Sequence, residues 1–467
     1  MAVILVGSYA AVLNSTVMGV SLPQIADDLT PSPLGIDVDW VITAFLLGVV
    51  LVQPGTGWMA DRWGRKRVYV ASLLVFAVGS TVGTLAPTMS VLVSGRFVQG
   101  LGAGAVMPVG MATIYDLFPA HRRGSALGVW GVAIMAAPAV GPPLGGWVVT
   151  NSSWRVVFLV FIVIAAGAAA LALRYLDDVG VREQRRLDLT GWALAAAGVV
   201  LVVIGTRQAA SWGATSPRTV ITVTVGVVLI AGLVWRSVHR PEPIIEFGMF
   251  ATPTFAIAMV VVALLTMAQF ARLNYLPVEL QVVRGLDAQQ VGLLLAPAAL
   301  GVAVTMPLSG WLSDRVGARL PVVVGMSVVS GTMWRLSHLR PDIPDREVVA
   351  ILVVQGLGTG LAMIPSTVAA MNSLPARFVA QATAVNSLVR QLAGAVSVAV
   401  LGAILVGDLG AVAPSGAPIA EAQAAYNGIF LVAFWMVVAT LVAALFLPGR
   451  QRARAHQADR ARELTDW

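Results

Sequence analysis

Among the 23 Asp and Glu of this chain, Glu279 lies inside a long apolar run, while Asp39 and Asp116 sit near the ends of two others. A carboxyl in such a setting can take up and release a proton, and an ionisable group inside a membrane-length run marks a functional site by default. Arg96 is a matching cation, about one to two turns into its own run. Asp39, Arg96 and Glu279 are therefore the candidates for proton handling. Glu279 follows Arg272 by seven residues, which places both on one helical face and makes an ion pair between them an equal expectation.

Other polar residues stand singly in apolar runs and could hold a bound molecule: Gln269, Arg272 and Asn274 in one, Asn386 and Arg390 in another. Met107, Met111 and Met363 add soft, adaptable apolar surface at helical spacing. The four His are scattered and the chain has no Cys, so neither a thiolate metal site nor a disulfide is expected, and no cofactor is implied. A membrane-embedded enzyme would gather His, Asp or Glu at one surface, and these are dispersed.

A denser cluster, Gly57-Trp-Met-Ala-Asp61-Arg62-Trp-Gly64-Arg65-Lys66-Arg67, separates two apolar runs. A fainter copy follows at Gly310-Trp-Leu-Ser-Asp314-Arg315-Val-Gly317-Ala-Arg319. Gln99-Gly100-Leu-Gly102-Ala-Gly104 is echoed by Gln355-Gly356-Leu-Gly358-Thr-Gly360 at nearly the same offset, so the chain is internally duplicated. Helical halves repeated in this way are typical of transporters.

The elements that must position these residues are membrane helices. The chain has 467 residues, 58% of them hydrophobic and only 11% charged, with a mean hydropathy of +0.84. That exceeds what a soluble core could bury. Apolar windows predict about fourteen spans, near 2–22, 38–60, 68–87, 90–115, 124–149, 154–174, 189–207, 219–238, 254–281, 289–312, 320–339, 347–371, 378–406 and 424–447. The expected fold is all-α, with a six-helix bundle at 1–175, a linker with two inserted helices at 176–246, a second six-helix bundle at 247–447 and a basic tail at 448–467. Most of the 30 Lys and Arg fall in alternate loops and the tail, which puts both termini in the cytoplasm. The net charge of +7 is then topological, with neither a basic stripe nor a reading module for nucleic acid.

With these motifs in hand, the chain resembles the major facilitator superfamily, in particular its fourteen-helix drug:proton antiporter branch of the EmrB/QacA type. The resemblance covers nearly the whole chain. It rests on the hinge Gly57–Arg67, on Arg96-x-x-Gln99-Gly100, on Gly141-Pro142-Pro143-Leu144-Gly145-Gly146, which is similar to the exporter motif, on Leu13-Asn14-Ser15-Thr16 with Leu22-Pro23, and on Trp154-Arg155. It implies a secondary exporter of amphipathic compounds, driven by the proton gradient in a bacterial inner membrane. Lipids would be its surroundings, a monomer its working form, and an amphipathic or lipid-like molecule its substrate. It implies that Asp61, with Gly57, Arg62, Gly64 and Arg65, latches onto the other half near Arg377. Asp314 and Arg315 would do the same near Gly124, while Gly141, Pro142, Pro143, Gly145 and Gly146 guide the rocking of the halves. Asn14 and Gln99 join the proton and substrate sites. The family usually has an acidic residue where this chain has Asn14, which hydrogen-bonds like a protonated Asp but cannot titrate. A lipid or glycolipid transporter of the same fold, or a form trapped as a protonation mimic at Asn14, are the alternatives. With so little embedded negative charge, neutral, zwitterionic or anionic cargo is favoured over dications.

Overall fold

The computed structural model describes residues 1–29, 38, 40–177, 186–213, 216–409 and 418–449. Its helices are α1 (Ala2–Asp28), α2 (Trp40–Val52), α3 (Thr56–Trp63), α4 (Arg65–Thr84), α5 (Met89–Leu117), α6 (Arg123–Asn151), α7 (Arg155–Tyr175), α8 (Leu189–Trp212), α9 (Pro217–His239), α10 (Pro253–Arg284), α11 (Ala288–Val316), α12 (Arg319–Leu336), α13 (Asp345–Asn372), α14 (Val379–Leu409) and α15 (Ile419–Ala444). No strand occurs among the described residues. Helices α2 and α3 form one apolar rod broken by a 3₁₀ turn at Gln53–Gly55, where Pro54 has no N–H to donate. Against the fourteen spans expected, 12 helices among the described residues are long and apolar enough to cross a bilayer. Helices α6 and α12 make the difference; α12 has only 18 residues and carries Arg319 and Arg335.

Helices α1–α7 pack into one bundle and α10–α15 into a second, while α8 and α9 pair with each other and α8 leans on α2 and α14. Duplication is visible in the packing itself. A Cβ on Gly100 of α5 would lie 2.1 Å from the Phe45 carbonyl of α2, and one on Gly356 of α13 would lie 2.2 Å from the Ala298 carbonyl of α11. Only glycine lets these backbones approach so closely. The two hinges also match: Gly64 ends α3 with φ of 89° and Gly317 ends α11 with φ of 85°, a region open to glycine and costly for other residues.

The inserted pair is tied down at one end. Asp188 caps α8 through the Gly191 N–H at 3.0 Å and pairs with Arg236 of α9 at 2.9 Å. Burial pushes the Asp188 carboxyl up, but the Arg236 and Gly191 hydrogen bonds and the Arg236 and Arg240 charges outweigh it and hold the group below its ordinary range. Trp192 of α8 packs on Gly55, and its indole N–H donates to the Leu51 carbonyl at 2.7 Å, beside the break in the α2–α3 rod.

Hydrogen bonds between the bundles cluster at the end that carries both hinges. Asp314 accepts from the Gly124 N–H and the Ser125 N–H, each at 2.8 Å, and from the Ser125 hydroxyl at 2.7 Å. These donors belong to the first turn of α6, where a carboxylate also gains from the helix dipole. Arg123 donates to Asn372 at 2.9 Å and Tyr115 to the Thr367 carbonyl at 3.3 Å. Asp61 is buried, and the neighbouring Gly57 abuts the Gln381 backbone of α14. Arg65 is buried too, paired with Asp116 and donating to the Ala112 carbonyl. Arg62 is exposed, and Arg315 lies over the Trp311 ring at 4.0 Å. Met1 lies beside Trp311, and Gly449 pairs with Gly317, so both ends of the described chain share this face.

Two outcomes are expected. Gly100→Ala should lower the melting temperature in detergent by several degrees, whereas Gly167→Ala, with nothing within 4 Å of the new Cβ, should leave it unchanged. Asp314→Ala removes three hydrogen bonds, about 1–3 kcal/mol of closure. Because the chain lacks Cys, a Met306→Cys probe at the α6–α11 seam should then react with maleimide roughly tenfold faster than in the parent.

Candidate proton and ligand site

Arg96 sits two turns into α5, fully buried, with its guanidinium 4.4 Å from the centre of the Phe45 ring. Its Nε donates to the Val41 carbonyl at 2.9 Å, and one Nη donates both to Asn14 Oδ1 at 2.6 Å and to Gln99 Oε1 at 2.5 Å. Gln99 in turn donates to the Ser80 hydroxyl at 2.7 Å. Three helices thus meet on one cation, α1, α2 and α5, and α4 supports it through Gln99. Every acceptor it has here is neutral. Its second Nη and the Asn14 amide nitrogen have no hydrogen-bond partner. A buried guanidinium with no counter-charge among the described residues is costly, so an anionic group brought to this point would be held firmly.

The exporter-motif segment lies against the same helix. A Cβ on Gly141 would meet Thr16 and one on Gly145 would meet Val17, so α6 packs directly on α1 just past Asn14. Gly146 follows in α6, where the helix continues unbroken to Asn151; the side chains of Pro142 and Pro143 fall outside the described residues, as does Asp39.

In the second bundle the polar residues are spread out. Arg390 of α14 donates to the Thr367 hydroxyl at 3.2 Å, Asn386 is buried with its Oδ1 unbonded, and Gln269 and Arg272 of α10 keep one unbonded buried atom each. Neither Arg272 nor Arg390 has an ion-pair partner among the described residues. Met107 and Met363 are half-buried. Asn274 is exposed and donates to the Phe270 carbonyl of its own helix, and Met111 is buried within the hydrophobic core.

The Arg272–Glu279 pair does not form either. Glu279 is buried and accepts instead from Gln423 of α15 at 2.6 Å. Gln423 was missed from sequence, as were Ser80 beside Gln99 and the Val41 carbonyl beside Arg96. The i, i+4 spacing of Gln423 and Asn427 on an otherwise apolar helix was the readable sign for the first; a backbone carbonyl leaves none.

The comparisons with known proteins agree with this architecture. The Major Facilitator Superfamily model matches residues 4–398. Relatives include the uncharacterized MFS-type transporter YhcA of Bacillus subtilis, 30% identical over 85% of this chain and 75% of that protein. The multidrug resistance protein Stp of Mycobacterium tuberculosis is 29% identical over 87% and 75%. The lincomycin resistance protein LmrB of B. subtilis is 26% identical over 86% and 84%. Among solved structures, the human organic anion transporter MFSD10 superposes with a TM-score of 0.63 at 15% identity, covering 93% of this chain and 98% of that one. The proton:xylose symporter XylE gives 0.61 at 14%, covering 96% and 95%. With two packed helical bundles, matching hinges and a family match over most of its length, the chain belongs to the Major Facilitator Superfamily.

Proposed function

We propose that this chain is a proton-coupled exporter of amphipathic compounds, with a preference for anionic or neutral cargo, in a bacterial inner membrane. The observation that carries the cargo preference is the buried Arg96, hydrogen-bonded only to neutral acceptors, with Arg272 and Arg390 equally free of carboxylates among the described residues. Export is supported by relatives named as multidrug and lincomycin resistance proteins. Counting α6 and α12 as spans gives fourteen crossings. The basic hinges then lie in the cytoplasm with both termini, and the conformation described is closed on the cytoplasmic side.

Transport follows from alternating which end is sealed. Opening the cytoplasmic end requires Asp314 to leave the α6 N-terminus and α3 to leave α14, where Gly57 abuts the Gln381 backbone. Cargo entering from that side would meet the cation at Arg96, and reclosure of the latches would turn it outward. Asn14 cannot carry the proton, so the coupling group lies elsewhere.

Two xanthene dyes of similar skeleton test this reading: fluorescein, an anion, and rhodamine 6G, a cation. In proteoliposomes under an imposed pH gradient, fluorescein should accumulate above the level of protein-free vesicles and rhodamine 6G much less. Arg96→Met should cut fluorescein transport at least tenfold. Asn14→Asp, which gives Arg96 a counter-ion, should shift preference toward rhodamine 6G. Better pumping of rhodamine 6G by the parent chain, unaffected by Arg96→Met, would defeat the cargo assignment.

A further inference from the structure

We propose that Glu279 is a proton-exchange site, reached from the face opposite the hinges through Gln423 and Asn427. The geometry is continuous. Glu279 lies near the far end of α10, with a relative exposure of 2%. One carboxyl oxygen accepts from Gln423 Nε2 at 2.6 Å, and the other has no hydrogen-bond partner. The same Gln423 nitrogen donates to Asn427 Oδ1 at 3.0 Å, and the Asn427 amide donates to the Leu339 carbonyl at 3.1 Å. Asn427 in turn lines a cleft of about 770 Å³ at the turn between α12 and α13, together with His338, Arg335, Asp342 and Glu347. A file of polar side chains therefore joins a buried carboxyl to open water through a wall that is otherwise apolar.

Such an arrangement is expensive unless it is used. A buried carboxylate with one neutral hydrogen bond lacks the pairing that its charge demands, and an apolar residue in its place would be simpler. Amides do not pass protons along themselves. They can hold water in line, and a hydronium from the cleft can give its proton to the free carboxyl oxygen, forming the O–H bond and leaving water behind. His338, its ring centred 4.2 Å from that of Trp334, stands at the mouth of the cleft.

The charged and titratable groups around Glu279 are few. On α15, Tyr426 lies within electrostatic reach, buried and with its hydroxyl unbonded. On α10 itself, Arg284 feels Glu279 while being held by Asp345 of α13 at 2.5 Å. Tyr275 is turned away to the Val398 carbonyl of α14 at 2.9 Å. A deprotonated Glu279 thus has Arg284 as its attractor, already shared with Asp345, and a protonated one has Gln423. Two states of comparable support are what an exchanging site needs.

The existence of the site does not depend on the function proposed above, but its use in transport does. Infrared difference spectroscopy of the purified full chain across a pH titration reads the site directly. A buried carboxyl C=O band should appear on acidification, be lost in Glu279→Gln, and shift in Glu279→Asp. Asn427→Leu, which plugs the route without touching the carboxyl, should keep the band but slow its appearance after a pH jump at least tenfold. A titrating band that persists unshifted in both Glu279 variants would overturn the site, as would the absence of any band in the parent. Wild-type speed in Asn427→Leu would overturn the route. In proteoliposomes, Glu279→Gln should lose gradient-driven fluorescein accumulation while keeping dye exchange at equal pH. Should the parent show the band yet no response to a gradient, the coupling reading fails and the site stands.

Discussion

A charge held in an apolar bundle with no opposite charge beside it among the described residues is the constraint around which this molecule is organised. Arg96 cannot be solvated by lipid and is not neutralised by a carboxylate among the described residues, so three helices bring it a carbonyl, two side-chain amides and an aromatic face. That requirement fixes the depth and rotation of α1, α2 and α5 relative to one another, because each must deliver its acceptor to one guanidinium. What the ring of acceptors lacks is charge, and the chemistry of the site follows from that deficit.

Close packing makes such convergence possible. Where α5 crosses α2, and α13 crosses α11, backbone meets backbone with no Cβ between them. In a bilayer, helices gain little from hiding apolar surface from one another, so this contact, together with hydrogen bonds, must supply the cohesion. The second bundle repeats the packing of the first but not its chemistry: Gln355 stands where Gln99 does in the repeat, buried and without a hydrogen-bond partner, and Leu352 stands where Arg96 does. The first bundle carries Arg96 among neutral acceptors and the second carries Glu279 on a neutral amide, so the duplicated scaffold holds two different polar sites.

Much of the scaffold is legible in sequence because the physics there is local. A run of apolar residues, a glycine at a hinge or a small-residue stripe states its role without knowledge of its neighbours. Positions near Arg96 were readable for the same reason, since an arginine two turns inside a membrane helix has few explanations. Pairing was not readable. Helical spacing put Arg272 and Glu279 on one face, yet Glu279 turned to α15, because a side-chain amide across the interface competes with an arginine two turns away. Periodicity gives a face, and only the neighbouring helices decide whether that face meets lipid, core or an open space.

The Trp192 contact has a consequence for how the inserted pair is to be regarded. Helix α8 touches the first bundle at a broken rod and the second along α14, so it spans the joint between two bodies. A strut across a joint restricts relative motion to paths that keep its two attachments at a fixed separation. Rotation about an axis passing near α8 satisfies that condition, whereas sliding apart does not. Helix α8 would then act as a bearing that selects one mode of movement.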